Sequence, residues 1–331
     1  MTMRENALLA LSGKQTEFVP CSFAAVNFVC PDAAMEAPPM GSGPGFDGYG
    51  VHQTPTLSGG GMYTPTVSVP PVLTDITRWK EQVTFPDYSN IDFAAEYEKD
   101  KAFFHWDPAE KVQDFYSPNG LFERLHFLMG FEDACVAILT EPEAVSELVG
   151  AIADKKIEMV QTAAKYYHAD YFTLLDDYAH LNGPFISLET FREIFRPHYQ
   201  RVIDAAHACG LKFKTHCCGK METFLDDFLE MGVDAFDPVQ RINDLPAMKQ
   251  KTLGKAGLMG GLDVQAVVDL ENATEEGIRA EVRRCIGEYA AGGGYMIHGA
   301  SLHMYNPAAY APGGRLNIVI DECMKYGQGS F

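Results

Sequence analysis

The hydrophobic and polar residues of this chain follow a helical spacing and a strand spacing in turn. Apolar residues recur at helical intervals over six segments, at 121–138, 142–167, 188–208, 220–231, 244–250 and 274–291. Short apolar runs typical of buried strands follow the second and all later segments, at 170–175, 211–216, 233–236, 256–261 and 295–298. A last helix is predicted to end near Tyr326. Repeated helix and strand units with short connections predict a parallel sheet covered by helices.

Two architectures share this alternation, a doubly wound sheet and a (β/α)8 barrel. A doubly wound dinucleotide-binding sheet carries a Gly-rich fingerprint after an early strand, and this sequence has none. We therefore predict a (β/α)8 TIM barrel. A length of 331 residues fits one such barrel, so residues 1–331 are predicted to form a single domain.

The N-terminal part of the chain is less regular. A helical pattern over 1–18 ends at Gly13, and residues 19–26 are predicted to form a buried strand. From 31 to 71 the composition shifts to Gly, Pro, Met and Ser, as in MEAPPMGSGPGFDGYG. We predict a long Gly/Pro-rich loop there, and a loop of this length usually serves as a lid or a binding loop.

Composition and charge exclude several classes of function. Only 26 Lys and Arg stand against 45 Asp and Glu, which gives a net charge of −19 and argues against nucleic-acid binding. The sequence opens without a signal peptide and has no uncharged run near the roughly 18 residues that span a bilayer. We expect a cytoplasmic enzyme that binds no membrane. The eight cysteines are irregularly spaced and are expected to be reduced.

Ligand-type side chains follow each of the five predicted strands from 170–175 onward. In a barrel the chemistry sits at the carboxyl ends of the strands. The residues at these positions are Asp176 and Asp177, His216 and Cys218, Asp237 and Gln240, Asp263, and finally His298 and His303. Such a concentration of titratable groups predicts the active site at this end of the barrel.

His216 and Cys218 form the most specific of these groups. They lie two residues apart on a strand, so their side chains project to the same face and could bind one zinc ion. A buried thiol beside an unrelated histidine is the alternative. Catalytic zinc generally has three protein ligands, and either His298 or His303 is expected to be the third.

The two carboxylates Asp176 and Asp177 are predicted to be catalytic. One of them, facing inward, could orient a substrate or shuttle a proton, and the other could accept backbone N–H groups in its loop. Asp237 and Gln240 could serve in either of two ways: they could form a polar floor for a ligand, or Asp237 could cap a loop. Asp263 is expected to brace the barrel mouth.

Several motifs occur in a fixed order along the chain. They are Glu-Pro-Glu at 141–143, Asp-Asp at 176–177, Gly-Pro-Phe-Ile-Ser at 183–187, Arg-Pro-His-Tyr at 196–199, His-x-Cys-Gly at 216–219 and Gly-Val-Asp-Ala at 232–235. In this order the chain resembles the uroporphyrinogen decarboxylase-like superfamily over most of its length. The resemblance implies a barrel fold and an enzyme.

Two branches of that superfamily are relevant. The decarboxylases carry an Arg-rich N-terminal motif, whereas this chain reads Pro-Cys-Ser-Phe-Ala-Ala-Val-Asn-Phe at 20–28. The cobalamin-dependent methyltransferases hold zinc with His-x-Cys and a later Cys, and His216 and Cys218 match the first two ligands. The later cysteines, Cys285 and Cys323, fall in predicted helices, which departs from the pattern of the thiol-methylating enzymes.

The resemblance therefore implies a zinc-dependent methyltransferase of an O-demethylase system. It would move a methyl group from a small methoxylated aromatic to the cobalamin of a partner corrinoid protein, with zinc stabilising the phenolate leaving group. A decarboxylase, a thiol-methylating enzyme and a non-catalytic barrel with a structural metal are the alternatives. The identity of the methyl donor and dimerisation are left open.

Five residues are predicted to contact the substrate. Aromatic residues from the loop at 23–63 could wall an apolar pocket. The predicted substrate contacts are Asn27, Phe28, Tyr178, His180 and Gln240.

Overall fold

A curled parallel sheet of seven strands forms the centre of the computed structural model, which describes residues 1–56, 63–304 and 306–329. The strands pair in chain order, each parallel to the next. They are β1 (Val26–Val29), β2 (Val112–Ser117), β3 (Tyr171–Leu175), β4 (Lys212–His216), β5 (Ala235–Val239), β6 (Gly257–Gly261) and β7 (Tyr295–His298). Within the described residues the sheet therefore has seven strands, where eight were predicted.

The two edges of the sheet approach each other just before β1. Cys21 and Ile297 form an isolated parallel bridge, and the Ile297 N–H donates to the Pro20 carbonyl at 2.9 Å. The strand predicted at 19–26 is wrong in position, because Ser22–Ala25 forms a helical turn and the strand follows it. This turn places Ser22 and Phe23 against His298 of β7, a tertiary contact that outweighs local strand propensity.

Helices cover the outside of the sheet and connect its strands. The helices are Met3–Leu11, Ser22–Ala25, Trp79–Gln82, Phe93–Phe104, Leu121–Met129, Phe131–Thr140, Pro142–Tyr166, Leu188–Thr190, Arg196–Ala208, Leu225–Glu230, Leu245–Thr252, Glu275–Tyr289 and Arg315–Tyr326. Single 3-10 turns lie at Asp32–Ala34, Ile76–Arg78, Glu222–Phe224 and Pro307–Ala309, and π-helical turns at Phe191–Phe195 and Val264–Val268. In the described part of the chain no helix is long and apolar enough to cross a bilayer.

The longest helix shows why these segments are helical. Pro142–Tyr166 begins with Pro at its first turn, where a missing N–H costs nothing. Its buried residues Val145, Leu148, Val149 and Ile152 repeat at helical spacing and face the sheet. The sequence pattern predicted this helix within one residue.

One predicted helix is divided in two. The segment predicted at 121–138 forms Leu121–Met129 and Phe131–Thr140, because Gly130 between them has φ of 90°. That left-handed region favours glycine and ends a helix. The N-terminus of Leu121–Met129 lies at the carboxyl end of β3, where Asp176 accepts its N–H groups.

Strand β2 was not predicted from the sequence. All six of its residues, VQDFYS, are buried. Three of the six, Gln113, Asp114 and Ser117, are polar, so the segment lacks the apolar run that is typical of a strand covered on both faces. The strand thus carries Asp114 and Tyr116 into the interior of the sheet.

The first helix closes the end of the sheet opposite the predicted site. Met3–Leu11 packs against a small apolar cluster that includes Val26, Met259 and Met296. A Cβ on Gly257 would lie 2.5 Å from the Leu11 Cα, so only glycine allows this approach. The apolar core therefore fills the amino ends of the strands and the space beneath the helices.

The region predicted as a Gly/Pro-rich loop has secondary structure of its own. Its described part includes a three-stranded antiparallel sheet, Gly45–Phe46, His52–Pro55 and Tyr63–Pro65. Residues 57–62 of that predicted loop lie outside the described residues. A lid function for this region stays a prediction.

Four buried charged residues, which we call the anchor cluster, tie this region to the helices Leu121–Met129 and Pro142–Tyr166. Arg124 donates to Glu36 at 2.6 Å and to Asp47 at 2.5 Å, and Lys156 donates to Glu36 at 2.9 Å. None of the four side chains is more than 2% exposed. Two cations balance two anions, as a buried ionic network requires.

Candidate functional site

The end of β4 presents an imidazole and a thiol to the same space. His216 Nε2 and Cys218 Sγ lie 3.8 Å apart, as their two-residue spacing predicts. Gly219 follows with φ of 105°, and a Cβ there would lie 2.7 Å from the Ala179 carbonyl carbon. Only glycine fits this turn, which holds Cys218 beside the loop that follows β3.

Asp177 completes a group that we call the donor triad. One carboxylate oxygen of Asp177, a ring nitrogen of His216 and the sulfur of Cys218 lie within 4.8 Å of one another. The Cys218 N–H donates to Asp177 Oδ1 at 2.5 Å, which fixes the carboxylate beside the thiol. An imidazole, a thiolate and a carboxylate are the three ligand types that bind zinc. The triad is therefore a candidate metal site.

The two histidines predicted as alternative third ligands do not join this group. His298 is buried, with Nδ1 2.7 Å from Ser22 Oγ and Nε2 3.4 Å from Asp237 Oδ1. Burial lowers the pKa of His298 to about 4, so its imidazole is neutral at pH 7. His303 lies on a turn, and its N–H donates to Ser301 Oγ at 3.1 Å. Among the described residues Asp177 takes the third position.

Asp176 points away from the triad and caps a helix. Its carboxylate accepts the N–H groups of Leu121, Phe122 and Glu123 at 2.7, 2.9 and 2.7 Å. The Tyr199 hydroxyl also donates to it. These contacts give Asp176 the backbone-binding role that was predicted for one of the two adjacent carboxylates.

Beneath the triad lies a second group of buried polar residues, which we call the floor cluster: Asp114, Tyr116, Lys214 and Asp237. Lys214 Nζ lies 2.5 Å from Asp114, 3.4 Å from Asp237 and 3.0 Å from the Tyr116 hydroxyl. Tyr116 donates to Asp237 Oδ2 at 2.6 Å. Although burial alone would raise it, the pKa of Asp237 is held well below its usual range by Lys214 and by its hydrogen bond with His216.

A hydrogen bond between Asp237 and His216 connects the floor cluster to the triad. His216 Nδ1 lies 3.2 Å from Asp237 Oδ2. Sequence reasoning named Asp237 and missed the other three residues. A signal for Lys214 was present, because positions 214, 216 and 218 alternate on one strand and share its inner face.

Acidic groups crowd around the triad, and burial together with this crowding raises the pKa of each of them. Burial raises the pKa of Asp177, partly offset by His216, and raises the pKa of the Cys218 thiol well above its usual range, with Asp177 adding to the effect. Glu123, which the sequence analysis missed, has its pKa raised by burial and then by Asp177 and Asp176. A bound cation would relieve this repulsion.

Two of the five predicted substrate contacts, Phe28 and Gln240, lie beside the floor cluster or the donor triad, and a third, Asn27, lies on the opposite face of β1 from Phe28. The Phe28 ring packs 5.3 Å from Tyr116 and 5.7 Å from His298. Asn27 is buried and donates to Gln113 at 2.6 Å. Gln240 accepts the N–H of Gly219 at 2.9 Å, so it braces the turn that holds Cys218.

The other two predicted contacts lie elsewhere. Tyr178 is buried in the aromatic core, with ring centroids 5.0 Å from Phe224 and 5.6 Å from Phe228. His180 is exposed and stacks on Phe185 at 4.9 Å. Neither side chain belongs to the donor triad or the floor cluster.

Comparison with known proteins identifies the family. The sequence profile described as Uroporphyrinogen decarboxylase (URO-D) matches residues 121–303, more than half of the chain. The chain belongs to this family. The matched segment contains the donor triad, and the predicted superfamily is thereby confirmed. The cobalamin-dependent branch stays a prediction.

Two individual proteins add detail to this comparison. A uroporphyrinogen decarboxylase from Ralstonia pickettii is 30% identical over 105 residues, which cover 32% of this chain and 27%, about a quarter, of that protein. A methyltransferase from Methanosarcina mazei superposes with a TM-score of 0.66 over 98% of this chain and 99% of the other, at 14% identity. At so low an identity the second likeness shows a shared fold alone.

Proposed function

We propose that this URO-D family member is a zinc-dependent methyltransferase that moves a methyl group from a methoxylated aromatic to a corrinoid protein. The observation that supports it most is the donor triad, which offers one nitrogen, one sulfur and one oxygen ligand at the carboxyl ends of the strands. Three protein ligands with an open position are typical of catalytic zinc. The methyltransferase of the same fold is compatible with this activity.

Asp177, His216 and Cys218 would hold the metal, which when bound would act as a Lewis acid toward the oxygen that loses its methyl group. Other groups of the chain would hold these ligands in position. Gly219 and Gln240 fix the turn that carries Cys218. The Cys218 N–H holds the Asp177 carboxylate in place.

Aromatic rings line the interior beside the triad, which favours an aromatic methyl donor. Phe28 contacts both Tyr116 and His298, and Tyr116 lies 6.3 Å from the His216 ring. Flat apolar walls with a few polar groups are typical of sites for small aromatic ligands. In this proposal Phe28 packs against the donor ring, while the partner corrinoid protein approaches from the open end.

Two adjacent cysteines provide a matched test. Cys218 belongs to the triad, whereas Cys217 is fully buried and its thiol donates to the Cys218 carbonyl at 3.2 Å. We expect Cys218→Ala to lose zinc and methyl transfer, and Cys217→Ala to keep both. Zinc content by elemental analysis and methyl transfer from a panel of methoxylated aromatics to reduced cobalamin would be measured on both variants. Full zinc content in Cys218→Ala would contradict the proposal.

A decarboxylase is the second candidate, because the Ralstonia relative carries that name. A tetrapyrrole with several carboxylates needs cationic partners. The segment at 20–28 instead places Ser22, Phe23 and Phe28 around His298. Release of carbon dioxide from uroporphyrinogen by zinc-free protein would favour this candidate.

A further inference from the structure

The floor cluster holds the Asp237 carboxylate at a defined place beneath the donor triad. Asp237 and His216 are direct partners in the pairing of β5 with β4. This register brings Asp237 Oδ2 to 3.2 Å from His216 Nδ1, while the other ring nitrogen, Nε2, faces Cys218. The position of the carboxylate is thus set by backbone pairing between two strands.

We propose that Asp237 is a positioning residue that makes Nε2 of His216 the metal-binding nitrogen. An ionised carboxylate only accepts hydrogen bonds, so the contact requires a proton on Nδ1. A neutral imidazole with its proton on Nδ1 has its lone pair on Nε2, the atom that faces Cys218. A carboxylate behind a ligating histidine also strengthens that ligand.

Two other floor residues, Tyr116 and Lys214, keep Asp237 in the ionised form that this role requires. Tyr116 donates to the same oxygen at 2.6 Å, and Lys214 lies 3.4 Å from it. All three side chains are buried, so these contacts are little screened by salt. They stabilise the negative charge of Asp237. This charge matters because a protonated carboxyl could itself donate to His216 Nδ1, and Nδ1 would then need no proton.

His298 contacts the same carboxylate and does not replace His216. Its Nε2 lies 3.4 Å from the other oxygen, Oδ1, and its Nδ1 is 2.7 Å from Ser22. Phe23 and Phe28 pack on its ring. Both ring nitrogens of His298 therefore face Asp237 or Ser22. Of the two histidines, only His216 has a ring nitrogen that faces Cys218.

The inference rests on the proposed zinc site and has its own test. We expect Asp237→Asn to weaken zinc binding by about 10–100-fold, because the amide keeps the shape of the side chain without its charge. Asp114→Asn is the matched control, since Asp114 contacts Lys214 at 2.5 Å and lies outside the His216 hydrogen bond. Zinc affinity would be measured by competition with a chelator, and folding by thermal melting.

A nuclear magnetic resonance spectrum of the wild-type protein distinguishes a positioning role of Asp237 from a merely structural one. In zinc-loaded protein with nitrogen-15 histidine, we expect His216 to have a proton on Nδ1 and the metal on Nε2. The opposite arrangement would overturn the inference even if Asp237→Asn fails to fold. Equal zinc affinity in Asp237→Asn and Asp114→Asn would also overturn it.

The outcomes separate this inference from the proposed function. Wild-type protein that binds no zinc contradicts both. Wild-type protein that binds zinc through Cys218, with unchanged affinity in Asp237→Asn, removes only the positioning role. Weakened binding in Asp237→Asn alone, together with the expected His216 spectrum, supports both.

Discussion

The anchor cluster and the site at the carboxyl ends of the strands differ in how their charges balance. In the anchor cluster Arg124 and Lys156 face Glu36 and Asp47, two cations for two anions. The donor triad and the floor cluster together hold three carboxylates and a thiol for one lysine, alongside His216. A balanced network needs no further partner and is costly to break, whereas an excess of anionic donors favours a bound cation.

The comparison separates residues that hold the structure from residues available for chemistry. Every side chain of the anchor cluster points at an oppositely charged neighbour inside the protein. In the described part of the chain Asp177 forms no ion pair with a lysine or arginine, and its carboxylate accepts the Cys218 N–H. We therefore expect substitutions in the first group to change stability and those in the second to change metal binding.

The largest expected effect is the loss of a charge from the anchor cluster. Arg124→Ala would leave Glu36 and Asp47 buried with one cation, and we expect it to lower the free energy of unfolding by about 3–5 kcal/mol. Denaturant unfolding measures the change. Arg78→Ala is the control, because Arg78 pairs with exposed Glu81 at the surface and should be near neutral. Equal unfolding free energies of Arg124→Ala and Arg78→Ala would contradict the structural role of the anchor cluster.

A smaller effect should distinguish the two adjacent carboxylates. Asp176→Ala removes the acceptor for three helix N–H groups, so we expect a loss of about 1–3 kcal/mol in unfolding free energy with zinc retained. Asp177→Ala should lose zinc affinity and keep most of the stability. Denaturant unfolding and zinc titration on both variants measure these changes. Loss of zinc from Asp176→Ala alone would reverse the assignment.

The smallest effect concerns pH. Burial and the neighbouring Asp177 raise the pKa of the Cys218 thiol, and burial raises the pKa of Asp177, so the metal must displace protons that these groups hold. Zinc affinity should fall as pH falls, by up to about tenfold per pH unit for each proton released. Calorimetry in buffers of different ionisation enthalpy counts those protons. No proton release near pH 7 would argue against Cys218 as a ligand.

Much of the fold could be predicted from the sequence because the later helices and strands are strongly periodic. Strand β7 was predicted at its observed bounds, and the helix Pro142–Tyr166 within one residue. The first strand was misplaced because a contact with His298 turns Ser22–Ala25 into a helix. Strand β2 was missed because Gln113, Asp114 and Ser117 interrupt its apolar residues, although all six residues are buried.

Sequence spacing predicted two residues of the donor triad, His216 and Cys218, and left the third open. His216 and Cys218 share a strand face, and strand spacing alone brings them together. The choice between Asp176 and Asp177 depends on how the chain turns after β3, where the N-terminus of Leu121–Met129 captures Asp176. Contacts between distant segments decide such choices, and spacing along the sequence carries no information about them.

Zinc K-edge X-ray absorption on the purified, zinc-loaded protein tests the central claim most directly. The donor triad predicts one sulfur at about 2.3 Å and nitrogen or oxygen ligands at about 2.0–2.2 Å, with the sulfur signal absent in Cys218→Ala. A protein that takes up no zinc, or a zinc ion with no sulfur ligand in the wild type, would contradict the account.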